Sequence, residues 1–243
     1  MNNNYENLDE IKNMAVGSLQ ENGVFMMENF LDKDICKSVS NKVIDLVDNK
    51  IDKTLTKEYD DYIVLDPDDE NRGSNWMDAQ SKSVINMRGN HGANIYDTGF
   101  CDIFNPDLLF EEIKELKNND FFKGISSMFG KDPERNYCNI YYNDGIIDTR
   151  GWHKDAPMVK LFVYLTDVKS EDYGPYCYIS KSHKSDWNIK NIEGYEYNSN
   201  DMNKFIAPAG TLIGSYQHGF HRGLPQPKGF KRVLLVYKIY LNN

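Results

Sequence analysis

The sequence predicts an α+β domain that is mainly β, an antiparallel sandwich or barrel braced by N-terminal helices, and three observations carry that expectation. Apolar residues recur at helical spacing in the early part of the chain. From about residue 135 the texture changes to short β-branched and aromatic runs punctuated by Gly, Pro, Asn and Asp. No regular helix alternates with those runs, which disfavours a doubly wound parallel sheet. At 243 residues the chain fits a single domain, with a helical N-terminal part over 1–134 and the β core over 135–243.

Each element has its own signal. Residues 8–21 carry helical periodicity and stop at Asn22-Gly23, where glycine accepts the left-handed backbone that ends helices. A short extended piece, VFMMENFL, follows. Asp32 caps a second helix whose buried stripe is Ile35, Val39, Val43, Leu46 and Val47. The polar, acidic stretch 51–81 reads as a surface loop or lid. Asn105 and Pro106 announce a helix burying Leu109, Ile113 and Leu116, and Phe121, Phe122, Ile125 and Met128 mark another. The strands are YCNIYY from 137, KLFVYLTDV from 160, YCYI from 176, TLIGSY from 211 and RVLLVYKIY from 232.

Composition excludes several classes. With 28 basic against 37 acidic residues the net charge is -9, which argues against a general nucleic-acid or anionic-membrane binder. Cys36, Cys101, Cys138 and Cys177 stand far apart without C-x-x-C or zinc-knuckle spacing, so they read as reduced core thiols. No signal peptide is visible in MNNNYENLDEIK and no run of about 18 apolar residues occurs, so the expected location is cytoplasmic. A small-molecule partner is expected; the oligomeric state is not legible.

The chemistry concentrates in Gly151-Trp152-His153-Lys154-Asp155. Residues two apart on an extended chain point to one side, so His153 and Asp155 can grip one ion. A second imidazole from a distant strand would complete a 2-His-1-carboxylate face, the donor set that suits non-haem Fe(II) with open positions. His218 and His221 both offer that third ligand. They differ by three positions, so an uninterrupted strand sends them to opposite sides and only one reaches the metal. Arg232 shares a face with Leu234 and Val236, and a guanidinium inside an apolar interior needs an anion, such as the far end of a metal-chelated dicarboxylate.

GWHKD, KLFVYLTDV, the segment from Asp172 through Gly174-Pro175 to Ser182-His183-Lys184, and HRGLP followed by a strand from Arg232 together resemble the phytanoyl-CoA dioxygenase family of Fe(II)/2-oxoglutarate-dependent oxygenases. ENGVFMMENFLDKDICKSV is similar to that family's opening. The resemblance implies a double-stranded β-helix, the jelly-roll or cupin-like fold, and it selects His221, because the family's Arg stands eleven residues after the distal His. It implies Fe(II) on His153, Asp155 and His221, Arg232 on 2-oxoglutarate, O2 as second co-substrate, and hydroxylation of a small molecule with release of succinate and CO2. Asp155 disfavours a halogenase. Two departures stand out: Ser180-Lys181-Ser182-His183-Lys184 replaces P-G-S-H-K, and Gly223 stands where some members carry a hydroxyl.

For the missing hydroxyl, Tyr164 is the first candidate, with Asn139 and Tyr141 next. Trp152, Arg88 and His91 are candidate substrate contacts, and Arg88, Arg150 and Lys154 a local basic rim. His183 more readily orders a turn than binds metal. Two other functions use the same residues: a zinc-dependent hydrolase with the same His/Asp/His site, or a non-catalytic jelly-roll binding protein.

Overall fold

The computed structural model describes residues 8–52, 57–65, 81–87, 100–129, 137–147 and 149–241. Helix α1 (Leu8–Asn22) ends at Gly23, whose φ of 79° is the expected left-handed stop. Strand β1 (Val24–Met27) follows, then α2 (Lys33–Asp45), capped by Asp32, whose side chain accepts from the Asp34 N–H. A single π-helical turn, Leu46–Lys50, continues it. Within the stretch expected to be a loop, β2 (Lys57–Glu58) and β3 (Tyr62–Leu65) are strands, and the rest of that stretch lies largely outside the described residues. Strands β4 (Ser83–Met87) and β5 (Cys101–Phe104) come next, so the N-terminal part supplies sheet as well as helices.

Asn105 does not cap a helix. It sits at φ 50° with its side chain tied to the Lys82 carbonyl, Pro106–Leu108 forms a 3-10 turn, and α3 (Glu111–Lys117) starts only after extended Phe110. Helix α4 (Asp120–Met128) is capped by Asn119. The remaining strands are β6 (Tyr137–Asn143), β7 (Met158–Tyr164), β8 (Tyr176–Ile179), β9 (Met202–Lys204), β10 (Leu212–Tyr216), β11 (His221–Gly223) and β12 (Arg232–Tyr240).

Two sheets face each other. The large one runs β1-β10-β7-β12-β6-β5-β4-β3-β2 and is antiparallel except for β3 beside β4; the small one runs β11-β8-β9. Alternation along β12 decides what each face does. Val233, Leu235, Tyr237 and Ile239 join Leu161, Val163 and Ile140 in the outer cluster, which the helices cover with Leu19, Val39, Val43, Phe121, Phe122 and Ile125. Each such side chain stabilises the fold by about 1.5–3 kcal/mol when fully buried. On the inner face, Leu234, Val236, Phe162, Tyr164 and Ile213 meet Tyr176 and Tyr178 of the small sheet. The resulting jelly-roll also buries polar side chains, among them Asn139, Asn143, His221 and Arg232.

Candidate metal centre

The segment between β6 and β7 crosses from one sheet to the other, and the crossing positions the site. His153 and His221 exchange both backbone hydrogen bonds, at 3.1 and 3.0 Å, and the Asp155 N–H donates to the Gln217 carbonyl at 2.7 Å. His153 thereby extends the small sheet while Asp155 leads into β7. The expected two-residue step places both side chains on one side: ligand atoms of His153, Asp155 and His221 all lie within 4.8 Å of one another. Nε2 of His153 is 3.8 Å from Asp155 Oδ1, and Nε2 of His221 is 3.5 Å from Oδ2.

Backbone carbonyls orient both rings. His153 Nδ1 donates to Gly151 O at 2.7 Å and His221 Nδ1 to Gly219 O at 2.9 Å, which leaves both Nε2 atoms facing the carboxylate. Gly219 is required at that point, since a Cβ there would stand 2.0 Å from the Tyr178 hydroxyl. Burial, then the neighbouring His221, pushes the His153 pKa down to about 3, so its imidazole is neutral and ready to ligate. Burial opposes ionisation of Asp155, but the His221 hydrogen bond and the Lys160 charge outweigh it and hold the carboxyl well below the usual range. Two imidazoles and one carboxylate, converging from one side, fit a divalent metal that keeps its other positions open.

Two cations already serve that carboxylate. Lys160 Nζ lies 3.0 Å from Oδ2 and Arg150 Nη1 3.3 Å from Oδ1. Lys160 is the residue that sequence reasoning missed, although its shared face with Phe162 and Tyr164 was the available signal. A buried trio supports the other side: Gln217 Nε2 donates to Ser215 Oγ at 2.7 Å and to Tyr176 Oη at 3.1 Å, and the Tyr176 ring lies 5.8 Å from that of His221.

Arg232 is buried, as its parity requires. With the Asn143 amide oriented to satisfy both its ends, Asn143 Oδ1 accepts from Arg232 Nη2 at 2.9 Å. Gly223 faces this guanidinium, a Cβ there standing 3.8 Å from Nη2. Tyr164 is less available than expected. Its hydroxyl donates to the Phe205 carbonyl at 2.9 Å and accepts from the Tyr176 N–H at 3.3 Å, and burial pushes its pKa up to about 12 against the opposing charge of Arg232. On β6 the partner of Arg232 is Asn143, with Tyr141 and then Asn139 at the next inward positions along the strand.

His218 stays out of the centre. The chain turns at 217–219 between β10 and β11, and His218 packs on Tyr216 and His183, rings 5.1 and 6.1 Å apart. His183 bonds to the Gln20 carbonyl at 3.1 Å, tying the SKSHK turn to α1. Trp152 is half-buried with Arg222 5.9 Å from its ring. Lys154 is drawn from the rim to Ser185 Oγ and the Asp186 carbonyl, at 2.8 and 3.1 Å. Arg88 and His91 lie outside the described residues.

No protein-family model matches the chain, and no curated protein sequence matches it. Solved structures do. A Pseudomonas putida prolyl-4-hydroxylase superposes with a TM-score of 0.60 at 12% identity, over 96% of this chain and 100% of that one. The chain shares its fold. SnoN, a non-haem alpha-ketoglutarate-dependent epimerase from nogalamycin biosynthesis, gives 0.57 at 9% identity over 94% and 82%. HygX from Streptomyces hygroscopicus, with nickel and 2-oxoglutarate bound, gives 0.56 at 10% identity over 93% and 85%. The jelly-roll that the resemblance implied is therefore observed. Among the described residues, no helix is long and apolar enough to cross a membrane.

Proposed function

We propose that this protein is an Fe(II)- and 2-oxoglutarate-dependent oxygenase that hydroxylates a small molecule, of the phytanoyl-CoA dioxygenase type. The observation that carries the reading is the convergence of His153, Asp155 and His221 inside a jelly-roll, with both imidazole Nε2 atoms turned toward one point. The fold shared with 2-oxoglutarate-dependent structures supports it, and SnoN and HygX structures that contain nogalamycin RO and hygromycin B support a small-molecule substrate.

In this reading His153, Asp155 and His221 would hold the iron and leave its remaining positions open to ligands. Bound iron supplies dioxygen activation coupled to decarboxylation of 2-oxoglutarate, giving succinate, CO2 and an oxidised substrate. The protein supplies position and sign of charge. Arg232 presents a planar fork that pairs with the distal carboxylate, and Gly223 leaves the space beside Nη2 for it. Tyr164 walls that pocket with its proton committed to Phe205. Lys160 orients the Asp155 carboxylate through Oδ2 and balances its charge in the dry interior.

Protein purified without metal and reconstituted anaerobically with Fe(II) is expected to bind 2-oxoglutarate and, on exposure to air, to release succinate. Asp155→Ala and His221→Ala are expected to abolish that release. Retention of Fe(II)-dependent succinate formation in both variants would exclude this centre, and hydrolytic turnover with zinc in oxygen-free buffer would replace the reading with a hydrolase.

A further inference from the structure

We infer that the primary substrate carries an anionic group, most simply a carboxylate, which Lys238 receives beside the metal centre. The inference rests on the oxygenase reading and extends it to a substrate class.

Parity along β12 sends Lys238 to the inner face with Arg232, Leu234 and Val236. Its directly opposed partner on β7 is Lys160, the cation on Asp155. Side chains so opposed start about 5 Å apart, so the Lys238 backbone stands one strand away from that of Lys160, which holds the ligand carboxylate. Arg232, which serves the co-substrate in the oxygenase reading, lies six positions along the same strand, about 20 Å away from backbone to backbone at 3.3 Å per residue.

Two rings hold the Lys238 ammonium, with Nζ 5.5 Å from the Tyr141 centroid and 5.7 Å from that of Phe104. Ring quadrupoles fix a cation in place without cancelling its charge. Among the described residues Lys238 forms no ion pair, although it is only partly exposed. The acidic side chain on this face, Asp102, accepts from Asn139 Nδ2 at 2.7 Å, and Asp155 is engaged by Lys160 and Arg150. Asn139 is buried, and its Oδ1 has no hydrogen-bond partner among the described residues. Buried acceptors are normally paired.

One end of the inner face thus offers an uncompensated cation, an unused acceptor and two aromatic walls. An acid with an apolar body satisfies all three: its carboxylate meets Lys238, its carbon skeleton packs on Phe104 and Tyr141, and an N–H or O–H beside the acid group donates to Asn139. A net charge of -9 repels anions at long range, so recognition here is local rather than a general attraction.

The test uses full-length protein loaded with Mn(II) and N-oxalylglycine, an unreactive 2-oxoglutarate analogue. Phenylacetate, 3-phenylpropionate and octanoate are titrated calorimetrically against their primary amides, in wild type, Lys238→Met and Lys238→Arg. A charge-assisted hydrogen bond makes about a tenfold or larger difference. The expected result is at least one acid bound about tenfold more tightly than its amide by wild type and Lys238→Arg, with the preference lost in Lys238→Met. Equal binding of acids and amides, a preference that survives in Lys238→Met, or no acid bound by protein that has taken up metal and analogue, would overturn the assignment. Separate titrations of Mn(II) and N-oxalylglycine on the same samples report on the oxygenase reading, so the two failures are told apart.

Discussion

Asp155→Ala separates what the carboxylate does for the fold from what it does for the metal. In the metal-free protein it pairs with Lys160, whose side chain is 14% exposed, at 3.0 Å, and with half-exposed Arg150 at 3.3 Å. The Lys160 bond is worth about 1.5–3 kcal/mol, as hydrogen bonds to charged groups generally are, while the exposed Arg150 pair adds little. For a chain of this length each kcal/mol moves Tm by about 2–4 °C, so the metal-free variant is expected to melt about 3–12 °C below wild type. Metal gives the second reading. At a concentration about 100 times Kd it stabilises the folded state by about 2.7 kcal/mol, raising wild-type Tm by about 5–11 °C. The variant should show no such rise at the same concentration. Adding Lys160→Met should recover part of the metal-free loss, because it removes the stranded ammonium. Differential scanning calorimetry with and without Mn(II) measures each of these proteins in both states. A wild-type metal response in Asp155→Ala, or a double variant no more stable than the single one, refutes the argument.

Arg232→Met should raise the apparent Kd for N-oxalylglycine about 100-fold, as loss of a bidentate charged contact implies, while Mn(II) affinity by calorimetry changes little. The two glycines beside that guanidinium should respond oppositely. Gly223→Ser meets nothing closer than Arg232 Nη2 at 3.8 Å and should leave stability to urea unchanged within about 0.5 kcal/mol. Gly174→Ala places a Cβ 2.8 Å from the Leu224 carbonyl at φ +62° and should destabilise by about 1–3 kcal/mol. His218 has its pKa lowered to about 4 by burial, then by His183 and Lys154. The unfolded chain therefore takes up this proton near pH 6.5 and the folded one only near 4, so stability falls as pH drops through that window. After allowance for solvent screening, His218→Gln should remove about 1–2 kcal/mol of that fall, read from urea midpoints at pH 7.5 and 4.5.

Much of the fold was legible because it rests on local periodicities. Val39 and Val43 at helical spacing and Leu234 and Val236 at strand spacing name their faces before any tertiary contact is known. The site was legible where it rests on the same rule: His153 and Asp155 two apart, Arg232 in phase with Leu234. It failed where the chain changes direction. Parity between His218 and His221 assumes a continuous strand, but the turn at 217–219 hands the chain from one sheet to the other, so the spacing between them carried no information about facing. Strands β2 and β3 escaped notice because they are two and four residues long within an acidic stretch. Lys160 escaped because its role depends on the crossing segment folding Asp155 back over β7, a relation between elements rather than within one.

The geometry of the centre is set by backbone pairing more than by side-chain packing. His153 and His221 are directly opposed and exchange both backbone hydrogen bonds, and their ring centroids stand 4.3 Å apart. The carbonyls of Gly151 and Gly219 each accept from an Nδ1–H and so orient the two rings, while burial and the neighbouring ring keep the His153 imidazole neutral. The carboxylate is the one charge that remains, and Lys160 and Arg150 balance it. The site therefore carries its own counter-charges, and the fold does not depend on metal to offset a bare anion. The same arrangement sets a condition on loading: a metal that takes an Asp155 oxygen competes with a cation already there. Affinity is tempered by that competition.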